Sequence, residues 1–271
     1  MPNLSRINTI QTNYGHIISR IAHDFGDHEG MGTPKISRWV AQYDDNDIPL
    51  AMKILREIRY YSIENIRSMI RSLVRLTYHH FSMVDQNRIL FIPIGASYEG
   101  SSVVARALRD EIRNERRIKS MADLESLEPG TFDALVFLDD FSGTGSTLKI
   151  WWMNVESIVL PRNVPFAIAL LVLNYRARDT IEQFANVICI DELDQSFNVI
   201  GPQSQRFTQT EKDRIVEYCR RTGCHPKYLF GFKECGLLVA FKHQCPNNSL
   251  PILWHACDQP PWEALFKSAG L

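Results

Sequence analysis

The stretch Leu135-Val136-Phe137-Leu138-Asp139-Asp140-Phe141-Ser142-Gly143-Thr144-Gly145-Ser146-Thr147-Leu148 confines the possible folds of this chain more than any other. It reads as a buried strand, two acids, a loop of small residues and the start of a helix, the local order of a parallel α/β fold. A loop of Ser, Gly and Thr that enters a helix can aim several backbone N–H groups and hydroxyls at one point. The helix dipole favours negative charge at that same point. Those are the physical requirements of a phosphate cradle.

Two familiar phosphate loops fit poorly. A Walker A loop ends in Gly-Lys-Ser/Thr, whereas here Lys149 lies beyond Thr147 and is not preceded by glycine. The dinucleotide fingerprint needs a third glycine where Leu148 stands and has no acid pair directly ahead of its loop. Two carboxylates would repel a bound phosphate unless they face hydroxyl groups, a metal ion or both. A sugar phosphate supplies the hydroxyls.

The segment resembles the ribose-phosphate signature of type I phosphoribosyltransferases. The resemblance implies that Asp139 and Asp140 meet the ribose hydroxyls and a Mg²⁺ ion, and that Ser142, Gly143, Thr144, Gly145, Ser146 and Thr147 hold the 5'-phosphate. Upstream, Ile89-Leu90-Phe91-Ile92-Pro93-Ile94-Gly95-Ala96-Ser97 looks like the family's first strand and pyrophosphate loop, with Ile94, Gly95, Ala96 and Ser97 around the diphosphate. Gly95 and Ala96 would allow its close approach. Asp191 and Glu192 stand where the family recognises the base, and Phe197, Phe230 and Phe232 are aromatic residues available for stacking. The family's long mobile closing loop has a short counterpart here, residues 113–130, in which Arg116, Arg117 and Lys119 could supply positive charge.

The rest of the chain is consistent with such a core. Short β-branched runs alternate with helical patterns from Arg88 onward, which predicts strands over 89–94, 134–139, 167–173 and 187–190 with helices over 101–113, 147–158 and 178–185. A helix over 210–221 and a strand over 236–241 follow. Up to Asp85 the chain shows helical periodicity and no strand-like run. Helices are expected over 16–25 and 36–43, then one behind Asp47 and Pro49, which supply a capping side chain and a first-turn proline, and one from Ser62.

Composition excludes several function classes. Lys and Arg number 30 against 31 Asp and Glu, so no overall charge draws the molecule to nucleic acid or an acidic membrane, and any anion site must be local. The longest apolar run, 166–173, is too short to span a bilayer, and the N-terminal residues lack a secretory apolar region, so a cytoplasmic protein is expected. All 6 cysteines lie from Cys189 onward without a CxxC pair, which favours reduced thiols over disulfides or zinc.

The helical N-terminus, the acid-pair core and the closing segment from Cys235 to Trp254 together resemble the phosphoribosyltransferase-like effectors of bacterial conflict systems, some of them linked with retron reverse transcriptases. The expected fold is therefore α/β, a mainly parallel sheet of the type I phosphoribosyltransferase kind with an N-terminal helical extension. Residues 1–85 would form the helical module and 86–271 the α/β domain with a hood-like C-terminal segment. The resemblance implies binding of phosphoribosyl diphosphate or a related nucleotide with Mg²⁺, a role in anti-phage defence and a protein or nucleoprotein partner such as a reverse transcriptase complex. The alternative is a non-catalytic nucleotide sensor or scaffold subunit.

Overall fold

A computed structural model describes residues 4–94, 100–112, 114–128, 130–259 and 261–269. In chain order its elements are α1 (Leu4–Asp24), α2 (Thr33–Val40), α3 (Ile48–Glu57), β1 (Arg59–Tyr61), α4 (Ile63–His80) and β2 (Ile89–Pro93). Next come α5 (Gly100–Ile112), α6 (Met121–Ser126), β3 (Ala134–Ser142), α7 (Ser146–Val159), β4 (Phe166–Asn174), α8 (Tyr175–Ile181) and β5 (Asn186–Leu193). The chain closes with α9 (Gln209–Arg221), β6 (Val239–Phe241), α10 (Pro251–Trp254), β7 (Cys257–Asp258) and β8 (Pro261–Trp262). It divides into two compact units, Glu64–Asp194 and Met1–Ile63 with Gln195–Leu271.

The unit Glu64–Asp194 is built on a parallel sheet of order β2-β3-β4-β5. A parallel strand covered on both faces reads as a continuous apolar run, and residues 134–138 and 167–173 are buried throughout. Strand alternation puts Leu90, Ile92 and Ile94, Leu135 and Phe137, and Ile168 and Leu170 in one cluster. Leu148, Trp152, Val155 and Val159, which recur at helical spacing on α7, join the same cluster. Trp152 stacks on Phe166 and Phe184 with centroids 5.0 and 5.4 Å apart. The α/β fold class with a parallel sheet is as the sequence predicts.

The other unit joins the two ends of the chain. Its strands β1 and β6 pair in parallel, Arg59 opposite Val239 and Tyr61 opposite Phe241. Around them the apolar faces of α1, α2 and α3 share one core with α9, α10 and the residues up to Phe266. The indole N–H groups of Trp39 and Trp262 both donate to the Ile252 carbonyl, at 2.8 and 3.2 Å. The buried Lys212 ammonium donates to the carbonyls of Gly201 and Ser204, each at 2.8 Å.

Three sequence expectations change here. A boundary near Asp85 falls inside the unit Glu64–Asp194, because the segment Met1–Ile63 packs with the C-terminal segment. The strand β1 was not expected, since a three-residue run between helices shows no periodicity and its partner lies far along the chain. Asp47 precedes α3 as expected, yet its carboxylate makes no cap. It accepts from the Arg214 guanidinium and from the Tyr218 hydroxyl, the latter at 2.7 Å. Among the described residues no helix is long and apolar enough to cross a membrane. All six cysteines are free, with Cys219, Cys235 and Cys245 buried.

The Asp44–Asp47–Arg214–Arg221 network ties the N-terminal helices to α9 and makes folding sensitive to acid. For Asp47 burial acts to raise the pKa, but the hydrogen bonds from Arg214 and Tyr218 outweigh it and hold the carboxyl below its ordinary value. The Arg221 hydrogen bonds do the same for Asp44. A depressed folded pKa contributes stability that is present above the unfolded value, about pH 4, and is lost as pH falls through the folded one. Asp47→Asn should lower the melting temperature by about 5 °C at pH 7 and flatten the loss of stability below pH 4, as read from thermal melts across pH 2–7.

Candidate functional site

The acid pair lies inside β3 rather than at its end. The ladder between β2 and β3 stops at Pro93 opposite Leu138, closed by the Ile94 N–H donating to the Leu138 carbonyl at 2.8 Å. On the other side β4 continues, with Asp139 opposite Leu170, Phe141 opposite Val172 and Ser142 opposite Leu173. The sequence-predicted strand stopped at Asp139; pairing with the apolar run of β4 carries it on to Ser142. Asp139 is half-buried and Asp140 is 5% exposed. Consecutive strand residues alternate in direction, and both acids follow the point where the ladder to β2 stops, so this edge of β3 is open beside them. The Asp140 N–H donates to Asp139 Oδ1 at 3.0 Å, which orients the first carboxylate along the strand.

From Ser142 the chain turns directly into α7. Ser142, Gly143 and Gly145 are buried, Thr144 and Ser146 are half-buried and Thr147 is exposed. The hydroxyls of Thr144 and Ser146 are 2.9 Å apart. Gly145 caps α7 in the left-handed region, φ 73°, and its carbonyl accepts the Lys149 N–H at 2.8 Å. A Cβ there would lie 2.7 Å from Thr180 Cβ and 3.1 Å from the Ala177 carbonyl oxygen, so glycine lets the loop sit against α8. The first turn of α7 carries no acidic residue. Hydroxyls, a tight turn and helix-start amides are thus brought together a few residues beyond the acid pair.

The remaining predicted positions fare differently. Ile94 is buried at the end of β2, while Gly95, Ala96 and Ser97 lie outside the described residues. On β5, Asp191 is opposite Val172 and Glu192 opposite Leu173. The rows Phe141–Val172–Asp191 and Ser142–Leu173–Glu192 therefore cross the same end of the sheet, with β5 two strand spacings from β3, roughly 10 Å. Glu192 is already engaged. Arg178 Nε and Nη2 donate to its two carboxylate oxygens at 2.8 and 2.7 Å, and the same guanidinium reaches Glu182 at 2.8 Å. The Arg178 hydrogen bonds hold the Glu192 carboxyl below its usual value. A bidentate clamp of this kind makes Glu192 a fixture between α8 and β5.

Arg117 is also committed elsewhere. It is 5% exposed, donates to the Ile89 carbonyl at 3.1 Å and the Tyr78 hydroxyl at 2.9 Å, and lies against the rings of Phe91 and Tyr78. Phe197, Phe230 and Phe232 belong to the other unit, where Phe197 lies under the guanidinium groups of Arg206 and Arg59. Sequence reasoning missed the buttress formed by Ala177 and Thr180 and the Arg178 clamp. The only local signal for the clamp is an arginine within reach of Glu182 one turn later, which does not reveal the second acid on β5.

The close approach at Gly145 has a measurable consequence. Gly145→Val should lose about 3 kcal/mol of stability, from the positive φ and from overlap with Thr180. Thr144→Ala should change it by less than about 1 kcal/mol. Urea denaturation of the two variants reads the difference, and substitution at Gly145 perturbs the fold before it reports on any ligand.

No curated protein sequence matches the chain. Among solved structures, the chain is similar to a Helicobacter pylori xanthine-guanine-hypoxanthine phosphoribosyltransferase, with 13% identity over 50% of this chain and 84% of that one and a TM-score of 0.35. A Neisseria gonorrhoeae hypothetical protein with bound ppGpp is matched at 11% identity, over 59% and 97%, with a TM-score of 0.36. The Mycobacterium tuberculosis orotate phosphoribosyltransferase, in complex with inorganic phosphate, is matched at 17% identity, over 46% and 71%, with a TM-score of 0.30. The family model PRTase-CE matches residues 36–268, a span that takes in the parallel sheet, the acid pair, the loop into α7 and the closing segment. On that match the chain belongs to the PRTase-CE family.

Proposed function

We propose that the chain binds phosphoribosyl diphosphate, or a nucleotide sharing its ribose 5-phosphate, together with Mg²⁺, and that the acid pair and the loop into α7 are its site. The observation that carries this reading is the order along one central strand: two carboxylates, then a hydroxyl-rich turn, then the start of α7. Carboxylates so near a phosphate loop repel a bare anion, and a ligand that presents hydroxyls and a divalent cation to them resolves the repulsion.

The donor chemistry fits the ion. Asp139 and Asp140 offer hard oxygen ligands of the kind Mg²⁺ takes in ones and twos beside a phosphate. When bound, Mg²⁺ would neutralise the diphosphate as it leaves. The chain's own groups supply the rest. Ser142, Thr144, Ser146 and Thr147 with the amides of the turn would fix the 5'-phosphate, and Asp139 and Asp140 would orient the ribose hydroxyls. In transfer, the bond from the anomeric carbon to the diphosphate oxygen breaks, and that oxygen keeps the electron pair. A nucleophile's lone pair forms the new bond and its proton passes to solvent. Positive charge grows on the sugar in between, where the acid pair is stabilising.

The wider resemblance extends the proposal to a cytoplasmic effector of bacterial anti-phage defence that works with a protein or nucleoprotein partner such as a reverse transcriptase complex. A second reading, a non-catalytic nucleotide sensor, is favoured by one observation: Glu192, a position expected to meet the base, is occupied by Arg178.

Isothermal titration with phosphoribosyl diphosphate should show binding that requires Mg²⁺. Asp139→Asn with Asp140→Asn should weaken it at least about tenfold, roughly 1.4 kcal/mol, while the melting temperature moves by only a few degrees. Diphosphate release on adding bases separates the enzyme from the sensor. A double variant that melts far lower yet binds normally would make the pair structural and end this reading.

A further inference from the structure

With 30 basic against 31 acidic residues, a local excess of one sign stands out, and α4 has one. Its sequence holds three arginines, two histidines and a single acid, Glu64 in the first turn. Arg67, Arg71 and Arg75 recur every four residues, His79 continues the series, and all four are exposed. No ion pair engages any of the three arginines among the described residues, in contrast with Arg88, Arg178, Arg214 and Arg221, each of which meets a carboxylate. The opposite face of α4, formed by Ile66, Ile70, Leu73, Val74 and Thr77, is buried, so the helix presents this stripe from a fixed support.

We infer that the α4 stripe is a docking surface for the phosphate backbone of a nucleic acid strand. Four residues of helix rise about 6 Å, which is close to the separation of successive phosphates along a strand. An array of equal charges at equal intervals matches a polyphosphate chain better than the irregular acids of a protein surface. All three positions are arginine, whose planar fork binds phosphate oxygens in pairs, and α4 contains no lysine. A membrane surface fits less well. A helix lying in a bilayer interface inserts an apolar face, and that of α4 is spent on its own unit, leaving Leu76 at 42% exposure as its only exposed large apolar side chain. Exposed Ser68 and Ser72 lie beside the arginines and can donate to phosphate as well. The contact reads charge and spacing, not base identity.

This inference gives a surface to the nucleic-acid side of the proposed partner and makes no use of the ribose-phosphate site, so the two can fail separately. The test is fluorescence anisotropy of a labelled 20-nucleotide single-stranded RNA, and of a DNA of the same length, titrated with the full chain between 50 and 200 mM NaCl. The wild type should bind either probe, with affinity falling steeply as salt rises. Arg67→Gln/Arg71→Gln/Arg75→Gln should bind at least about tenfold more weakly, with the slope of log affinity against log salt smaller by about 2, for three phosphate contacts on a single strand. The same variant should keep its melting temperature and its titration with phosphoribosyl diphosphate. The control Arg20→Gln/Arg220→Gln/Lys227→Gln removes the same charge from exposed sites elsewhere and should bind like the wild type. Absence of wild-type binding, equal losses in stripe and control variants, or tighter binding to vesicles containing phosphatidylserine than to either probe would each overturn the inference.

Discussion

The parallel ladder between β3 and β4 fixes everything at the mouth of the sheet. Inside a buried parallel sheet each backbone N–H and C=O needs a partner, and β4 is apolar without a break from Phe166 to Leu173. Its register holds Phe141 and Ser142 in line after β2 has ended, so two aspartates are kept in extended backbone where a loop would otherwise begin. Extended backbone sets the two carboxylates in succession beyond the end of β2 and delivers the chain to Gly145. The left-handed turn there, seated against Thr180 and Ala177, then sets where the first amides of α7 point.

Strands in the middle of such a sheet are legible because burial on both faces removes every polar residue from 134–138 and 167–173. Their ends are less so. Asp139 and Asp140 look like a strand terminus by composition, and only the neighbouring strand's length, a tertiary fact, extends β3 to Ser142. The helices α3, α4 and α7 follow from apolar residues at helical spacing. The strand β1 has no such pattern, and its pairing with β6 spans most of the chain, so no local reading divides the molecule as its contacts do. At the site, residue type located the turn of hydroxyls and glycines between β3 and α7. It could not show that Glu192 answers to Arg178, because an exposed acid on a strand edge reads the same whether a ligand or an arginine meets it.

In the unit joining the chain ends, several buried polar groups are answered by specific carbonyls or acids. Trp39 and Trp262 share the Ile252 carbonyl, Lys212 sits on two carbonyls and Tyr218 on Asp47. Leaving such groups unpaired is costly, so these contacts select one arrangement of the N-terminal helices against the C-terminal segment more sharply than apolar packing alone. The closing segment is thereby core material for Met1–Ile63. Its tryptophans serve that core, which explains why the segment is so rich in aromatic residues.

As proposed, the loop after β3 and the stripe on α4 are two different answers to an anion. At the loop, paired hydroxyls and the first amides of α7 follow within a few residues of two carboxylates. A bare polyanion laid across it would be repelled by the acids, whereas the proposed ligand would cover them with hydroxyls or a cation. The α4 face has the reverse character: charge repeated once per turn on long, flexible side chains, one acid at its start, and no convergence. Such a face gains from each added phosphate in a row and very little from a single one, because an isolated exposed contact contributes at most about 1 kcal/mol and is screened by salt. On the proposed reading, the placement of the acids would separate the two chemistries within one unit, since carboxylates that favour a ribose phosphate at the sheet's end would turn a phosphate backbone away from it.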